Sequence, residues 1–168
     1  MYFRQNIETP LGKMIAIADH HSIVALYFED ATFKFDFVHK LAQSHRIVDE
    51  ANPIIEKTKH QVNAFINGEL RTFTIPFSVE FGTPFQQKVW HTVKSIPYGS
   101  TVTYQDIANR IQKVDASKAV ITATNQNHLQ ILIPSHRVTN LDGDLNTFNG
   151  GIDKQSALIQ IEQNPSEA

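Results

Sequence analysis

The sequence predicts an α+β protein, with an N-terminal α/β unit on an antiparallel sheet and a mainly helical C-terminal unit holding a helix-turn-helix and an active-site loop. Three observations carry that prediction. The first third consists of short β-rich runs separated by tight-turn residues. After Gly82-Thr83-Pro84 the apolar spacing becomes that of short amphipathic helices. The length, 168 residues, fits one average domain or two small ones, and the change of texture divides it into 1–80 and 81–168.

Taken in order, residues 2–7 and 13–18 flank the turn Thr9-Pro10-Leu11-Gly12, and 23–28 follow a second turn at 19–22, which together predict an antiparallel meander. Phe33, Phe37, Val38 and Leu41 have helical spacing over 33–42. Asn52-Pro53 reads as an N-cap followed by proline at the first helical position. The helix it opens has Ile54, Ile55, Thr58, Val62, Phe65 and Ile66 on its inner face and ends at Asn67-Gly68. Residues 71–77 are expected to add a strand. Beyond Pro84, the face Phe85, Val89, Trp90, Val93 and Ile96 forms a helix stopped by Pro97-Tyr98-Gly99. Thr103 and Asp106 make a capping box for a helix with Tyr104, Ile107, Ala108 and Ile111 inward. A polar connection over 112–116 then leads through Ser117 to a helix over 118–125, and the pair reads as a helix-turn-helix.

Composition narrows the function classes. With 41% hydrophobic and 19% charged residues the chain is of the globular type. No apolar run approaches the roughly 18 residues of a membrane span, and no basic-then-apolar leader opens the chain, so an intracellular, cytoplasmic monomer away from membranes is expected. The sequence has no cysteine, which excludes disulfides, thiolate metal sites and cysteine nucleophiles. His20-His21 lacks a third ligand, and neither a metal nor a cofactor is expected. The net charge of −2 conceals an uneven distribution. Residues 81–139 carry six basic side chains (Lys88, Lys94, Arg110, Lys113, Lys118, Arg137) against Asp106 and Asp115, a net of +4 between acidic flanks. A basic middle segment suits a polyanion, though a charge of this size also suits an ordinary solvated surface.

The densest signal is Leu-Gln-Ile-Leu-Ile-Pro-Ser-His-Arg-Val over 129–138, an apolar, strand-like approach delivered through a proline to Ser135, His136 and Arg137. By itself this pair could be a turn-capping serine beside a core histidine. Together with Thr-Pro-Phe-Gln-Gln-Lys-Val-Trp (83–90), Ile-Pro-Tyr-Gly (96–99), Thr-Tyr-Gln-Asp-Ile-Ala (103–108), Lys-Ala-Val (118–120), Asn127, Gly150-Gly151 and Glu162, it resembles the C-terminal domain of the O6-alkylguanine-DNA alkyltransferases, the methylated-DNA–protein-cysteine methyltransferases. The motifs cover residues 83–162 in the family's order, and residues 1–80 fit its N-terminal domain more loosely.

The resemblance implies a protein that enters the DNA minor groove through the helix-turn-helix and flips O6-alkylguanine into a pocket. Its implied partner is double-stranded DNA carrying that lesion, with other repair proteins possible. It implies that Tyr104 rotates the phosphate of the target nucleotide. Lys118 stands where the family has an arginine finger, Ala119 and Ala123 are the small residues near the groove, and Asn127 braces the link from recognition helix to active-site loop. Arg137 is assigned to DNA contact, and Tyr104, Phe148 and Asn149 to the lesion pocket. His136 and Glu162 correspond to the relay that turns the family's acceptor cysteine into a thiolate. The acceptor itself is Ser135. A thiol titrates near ~8.5 and is readily lowered by such neighbours, whereas an alcohol is far less acidic and a poorer nucleophile toward a saturated carbon.

Smaller departures accompany it: Lys118 for arginine, Ile121 and Thr122 for glycines, His128 for proline and Phe148 for tyrosine. The expectation is therefore a lesion-binding protein that does not accept the alkyl group. The alternative is an active alkyltransferase present as a Cys-to-Ser variant. A serine hydrolase on Ser135, His136 and Glu162 is disfavoured, because no Gly-x-Ser-x-Gly elbow surrounds the serine. A transcription regulator is disfavoured because it would leave the site motifs without a purpose.

Overall fold

The computed structural model describes residues 1–31, 36–140 and 151–164, with only the backbone of Asp36, Phe37 and Ile152. Strands β1 (Tyr2–Thr9), β2 (Gly12–Ala18) and β3 (Ile23–Phe28) form the expected antiparallel meander. Thr9 closes the first turn by donating from its hydroxyl to the Gly12 carbonyl at 2.6 Å. The second turn is an Asx turn, with Asp19 accepting from the His21 and Ser22 amides at 2.7 and 2.8 Å. His20 packs edge-on against Phe3.

Helix α1 (Asp36–Ser44) leads into β4 (Ile47–Val48), which pairs in parallel with the start of β1. The sheet order is β3-β2-β1-β4. A two-residue strand of this kind is too short to show any period in the sequence. Helix α2 (Pro53–Ile66) begins as expected, with the Asn52 carboxamide accepting from the Ile54 and Ile55 amides. Ile55, Thr58, Val62, Phe65 and Ile66 are buried, while Ile54 is half-buried.

The strand expected over 71–77 does not form. Only Phe77 bridges β3, because Pro76 offers a carbonyl to the Ile23 amide but has no N–H with which to continue a ladder. Helices α3 (Pro84–Lys94), capped reciprocally by Thr83 and Gln86, and α4 (Tyr104–Arg110), capped by Thr103 and Asp106, match their signals. Helix α5 (Ser117–Asn125) follows and packs on both. Strands β5 (Val102–Thr103) and β6 (Val138–Thr139) pair in parallel, and α6 (Ile152–Gln163) closes the described chain. The sequence reading assigned no element beyond residue 140.

One apolar core is continuous through both halves. It runs from Ile7, Met14 and Phe28 of the sheet through Val62 and Phe65 of α2 to Trp90, Ile107 and Leu158. A smaller cluster, Ile17, Val24, Ala25 and Leu41, fills the other face of the sheet. Trp90 is the pivot of the helical half. Its indole N–H donates to the Ala123 carbonyl at 2.9 Å, satisfying one of the carbonyls left over at the end of α5. Its ring meets His128 edge-on at 5.1 Å. A Cβ at Gly82 would overlap the Trp90 ring, so glycine is required there. Among the described residues no helix is long and apolar enough to cross a membrane.

Candidate active site

The approach to Ser135 is not a strand, although it reads as one. The Leu26 amide donates to the His128 carbonyl and the Gln130 amide donates back to Leu26, both at 2.7 Å, so the segment docks on the free edge of β3. The Gln130 carboxamide adds an acceptor for the Phe28 amide at 2.9 Å. The chain then reverses, with the Ile133 amide donating to Leu129 and Ile131 at φ +72°. That left-handed backbone is strained for a β-branched residue and costs on the order of 1–3 kcal/mol. The strain is held by β3 on one side and by Asn127 on the other.

Asn127 accounts for its whole side chain. Its Oδ1 accepts from the Leu129 amide at 2.9 Å, and its Nδ2 donates to the Ile133 carbonyl at 2.9 Å and to Ser135 Oγ at 3.0 Å. Pro134 (φ −80°, ψ 64°) makes an inverse γ-turn, closed by the Ser135 amide on the Ile133 carbonyl. One 3₁₀ turn, Ser135–Arg137, follows and runs into β6. Gln155 of α6, fully buried, donates to the carbonyls of His136 and Val138 and fastens that turn from behind.

Glu162 gathers the charged groups. Its Oε2 lies 2.5 Å from His136 Nε2, and its carboxylate accepts from Arg137 Nε at 2.8 and 3.0 Å. The Gly99 amide donates to Oε1 at 2.9 Å, which needs the left-handed backbone (φ +83°) that glycine adopts without strain. Burial alone would raise the Glu162 carboxyl, but the bonds from His136, Arg137 and Gly99 overcome it and bring the pKa down to about 2. Burial is also the largest influence on His136 and lowers its pKa; Arg137 acts in the same sense, and the Glu162 contacts only partly offset them. At neutral pH the pair is therefore a carboxylate and a neutral imidazole. A carboxylate only accepts, so Nε2 carries the imidazole proton and Nδ1 holds the basic lone pair. The arrangement provides a proton acceptor on a fully buried ring next in sequence to the Ser135 hydroxyl.

Arg137 is placed differently from the sequence expectation. It is 7% exposed, and its guanidinium is shared between Glu162 and the Ile96 carbonyl, 2.8 Å from NH1. Its bonds turn it inward, and nothing in these contacts supports the DNA contact assigned to it. Tyr104 opens α4 and is buried, Ala123 is buried under Trp90, and Lys118 and Ala119 are exposed on the first turn of α5. Phe148 and Asn149, assigned to the lesion pocket, lie outside the described residues, as does Gly150. Sequence reasoning missed Gly99 and Gln155 as supports. Gly99 read as a helix stop and as part of the 96–99 motif, with no partner assigned, and Gln155 sits on a helix whose inward positions (Gln155, Leu158, Glu162) are mostly polar.

β5–β6 joins the two parts of this half. Val102 pairs with Val138 and Thr103 with Thr139, so the cap of α4 and the exit of the Ser135 turn share one ladder.

Residues 84–164 match the family model of the 6-O-methylguanine DNA methyltransferase DNA-binding domain, and residues 2–79 match that of its ribonuclease-like domain. The methylated-DNA–protein-cysteine methyltransferase of Mycobacterium tuberculosis is 39% identical over 169 residues, spanning 100% of this chain and 96% of that protein. The constitutive enzyme of Bacillus subtilis is 33% identical over 164 residues, spanning 97% and 96%. The crystal structure of the M. tuberculosis O6-methylguanine methyltransferase superposes with a TM-score of 0.84 at 30% identity, covering 100% of this chain and 96% of that one. A structure of the M. tuberculosis protein OGT in complex with DNA superposes at 0.83 and 29%, covering 99% and 95%. By fold, by motif order and by overall similarity along its length, the chain belongs to the methylated-DNA–protein-cysteine methyltransferase family.

Proposed function

We propose that this protein binds O6-alkylguanine in duplex DNA through α4 and α5, holds the extruded base beside Ser135, and does not accept the alkyl group. One observation carries the reading. Asn127 donates to Ser135 Oγ, and the adjoining turn carries the neutral His136 with its basic Nδ1 and the Glu162–Arg137 pair, which supports Ser135 as the acceptor position. An alkyl acceptor must attack a saturated carbon as an anion, and an alcohol beside a neutral imidazole remains protonated where a thiol would ionise. A hydroxyl can still donate a hydrogen bond, so recognition and extrusion survive the loss of sulfur.

The complex of the M. tuberculosis relative with DNA supports DNA as the partner. The exposed Lys118 and Ala119 at the start of α5 support that helix as the element nearest the duplex, with Tyr104 close to the lesion. The test uses duplexes with and without O6-methylguanine, the methyl group carrying tritium. Tighter binding to the lesion duplex, with all label remaining on DNA, is the expected result. Equal affinity for both duplexes overturns the lesion-binding reading, and label on the protein overturns the inert acceptor.

A further inference from the structure

A concavity with a volume of about 320 Å³ lies between residues 71–77 and residues 94–98. Its floor is Ile131, Leu132, Pro134 and Arg137, so it reaches the residues on either side of Ser135-His136, while neither of those two lines it. Each wall sends a cation across to an aromatic ring of the other. The Arg71 guanidinium lies 5.4 Å from the centre of the Tyr98 ring, and Lys94 Nζ lies 4.7 Å from that of Phe77.

The walls are fixed before any ligand arrives. Thr74 and Gln61 bond reciprocally, the Thr74 amide to Gln61 Oε1 at 3.0 Å and Gln61 Nε2 to Thr74 Oγ1 at 2.7 Å, which ties the first wall to α2. The Ile96 carbonyl is held by Arg137, which ties the second wall to the relay. The last carbonyls of α3 accept from the Ser95 and Ile96 amides, so the negative end of that helix is muted here.

The charge of the cleft is one-sided. No carboxylate lines it, and Glu162 neutralises Arg137. Arg71 and Lys94 meet no carboxylate among the described residues. Arg71 over Tyr98 and Lys94 over Phe77, with Phe73 beside them in the lining, place phosphate donors next to aromatic rings. The volume is at the low end for ligand sites and fits one small group.

We infer that this cleft is a nucleotide site, taking one nucleobase against the aromatic lining with its phosphate between Arg71 and Lys94. The nucleotide is either free in solution or one unit of a single strand. The inference goes beyond the lesion-binding reading and uses neither Ser135 nor α5.

Equilibrium dialysis of the full chain against radiolabelled dGMP, with amide chemical-shift mapping, tests it. Saturable one-to-one binding is expected, with shifts centred on 71–77 and 94–98 and affinity reduced by about tenfold or more in Arg71→Gln and in Lys94→Gln, as loss of a charge-assisted phosphate contact requires. Deoxyguanosine and inorganic phosphate should each compete far more weakly than dGMP. Displacement by a short single-stranded oligonucleotide below the concentration of dGMP needed identifies a strand as the source, and displacement only by mononucleotides identifies a free nucleotide. Absence of saturable binding, undiminished binding in both variants, or phosphate competing as well as dGMP overturns the inference. If the variants fail to fold, the wild-type map decides, and shifts confined to α4 and α5 overturn it. Loss of dGMP binding with lesion-duplex binding intact separates this site from the one at Ser135.

Discussion

Around Ser135 the side chains are interlocked. Asn127 spends three hydrogen bonds on the approach and on the hydroxyl, Glu162 receives His136, Arg137 and Gly99, and Gln155 holds the turn from α6. The outer face of α5 is the reverse. No side chain caps it at Ala116, Lys118 and Ala119 stand in solvent, and Thr122 on the next turn is also exposed. The first region is held by bonds of which only one, from Asn127, involves the side chain of residue 135. If the second meets DNA as proposed, it needs only charge and a small profile, and substitution there should change affinity by degrees. The contrast fits a chain of this family that has no cysteine yet keeps the bonded network around Ser135.

The comparison is broken most directly by Ser135→Cys. If the interlocked region is a complete activating site, this one atom takes methyl transfer from undetectable to stoichiometric labelling of the protein, and the new thiol absorbs as thiolate below the ordinary ~8.5. A folded, inert variant shows that the relay is not poised as its geometry indicates.

Next in size is Glu162→Gln, which leaves the buried Arg137 without its counter-charge. Urea denaturation at pH 7 should show a loss of about 3–5 kcal/mol, a large part of a typical domain's total stability. A loss below about 1 kcal/mol would mean that the network behaves like a surface ion pair.

The acid limb sharpens the comparison further. Burial lowers the pKa of His128 from 6.5 to about 4, and lowers that of His136. The unfolded chain therefore binds protons first as the pH falls, and stability present above pH 6.5 is lost progressively toward pH 4. Between pH 7 and 5 His128 contributes about 2 kcal/mol of that loss, and His128→Gln should flatten this part of the stability profile. Glu162, lowered from 4.5 to about 2, adds its own loss as the pH falls from the ordinary carboxylate value toward 2. An unchanged profile in His128→Gln would place the sensitivity elsewhere.

The smallest effect belongs to the exposed region. Lys118→Ala should weaken damaged and undamaged duplexes alike and reduce the salt dependence of binding by about one unit of slope. Loss of lesion preference alone would show that Lys118 acts on the extruded base and not on the backbone.

How much of this the sequence discloses depends on where each hydrogen bond goes. The Asn52 cap and the two capping boxes at Thr83 and Thr103 satisfy donors within three residues, so they are readable from the residues alone. The Thr9–Gly12 turn is readable for the same reason. The run 129–134 has strand composition, yet its main-chain partner is Leu26, more than a hundred residues back, which leaves no local trace, whereas the Asn127 side chain binds locally. Arg137 reads as a basic side chain of the middle segment, and its bonds to the Ile96 carbonyl and Glu162 depend on residues 41 and 25 positions away. The relay residues were identified through the family resemblance, since Glu162 follows His136 by 26 positions on a helix with no clear apolar stripe.

The grip of β3 on the approach to Ser135 bears on modularity. Two family models meet in this chain at about residue 80, which suggests halves that could be inherited or expressed separately. Leu26 and Phe28 nonetheless hold His128 and Gln130 by main-chain and side-chain bonds, and Ile131 keeps its unfavourable backbone only within that grip. A fragment starting at residue 81 would retain every motif of the site and lose the edge that shapes it. The sheet, which carries no site residue of its own, is thus the mould in which the chemistry of the other half is cast.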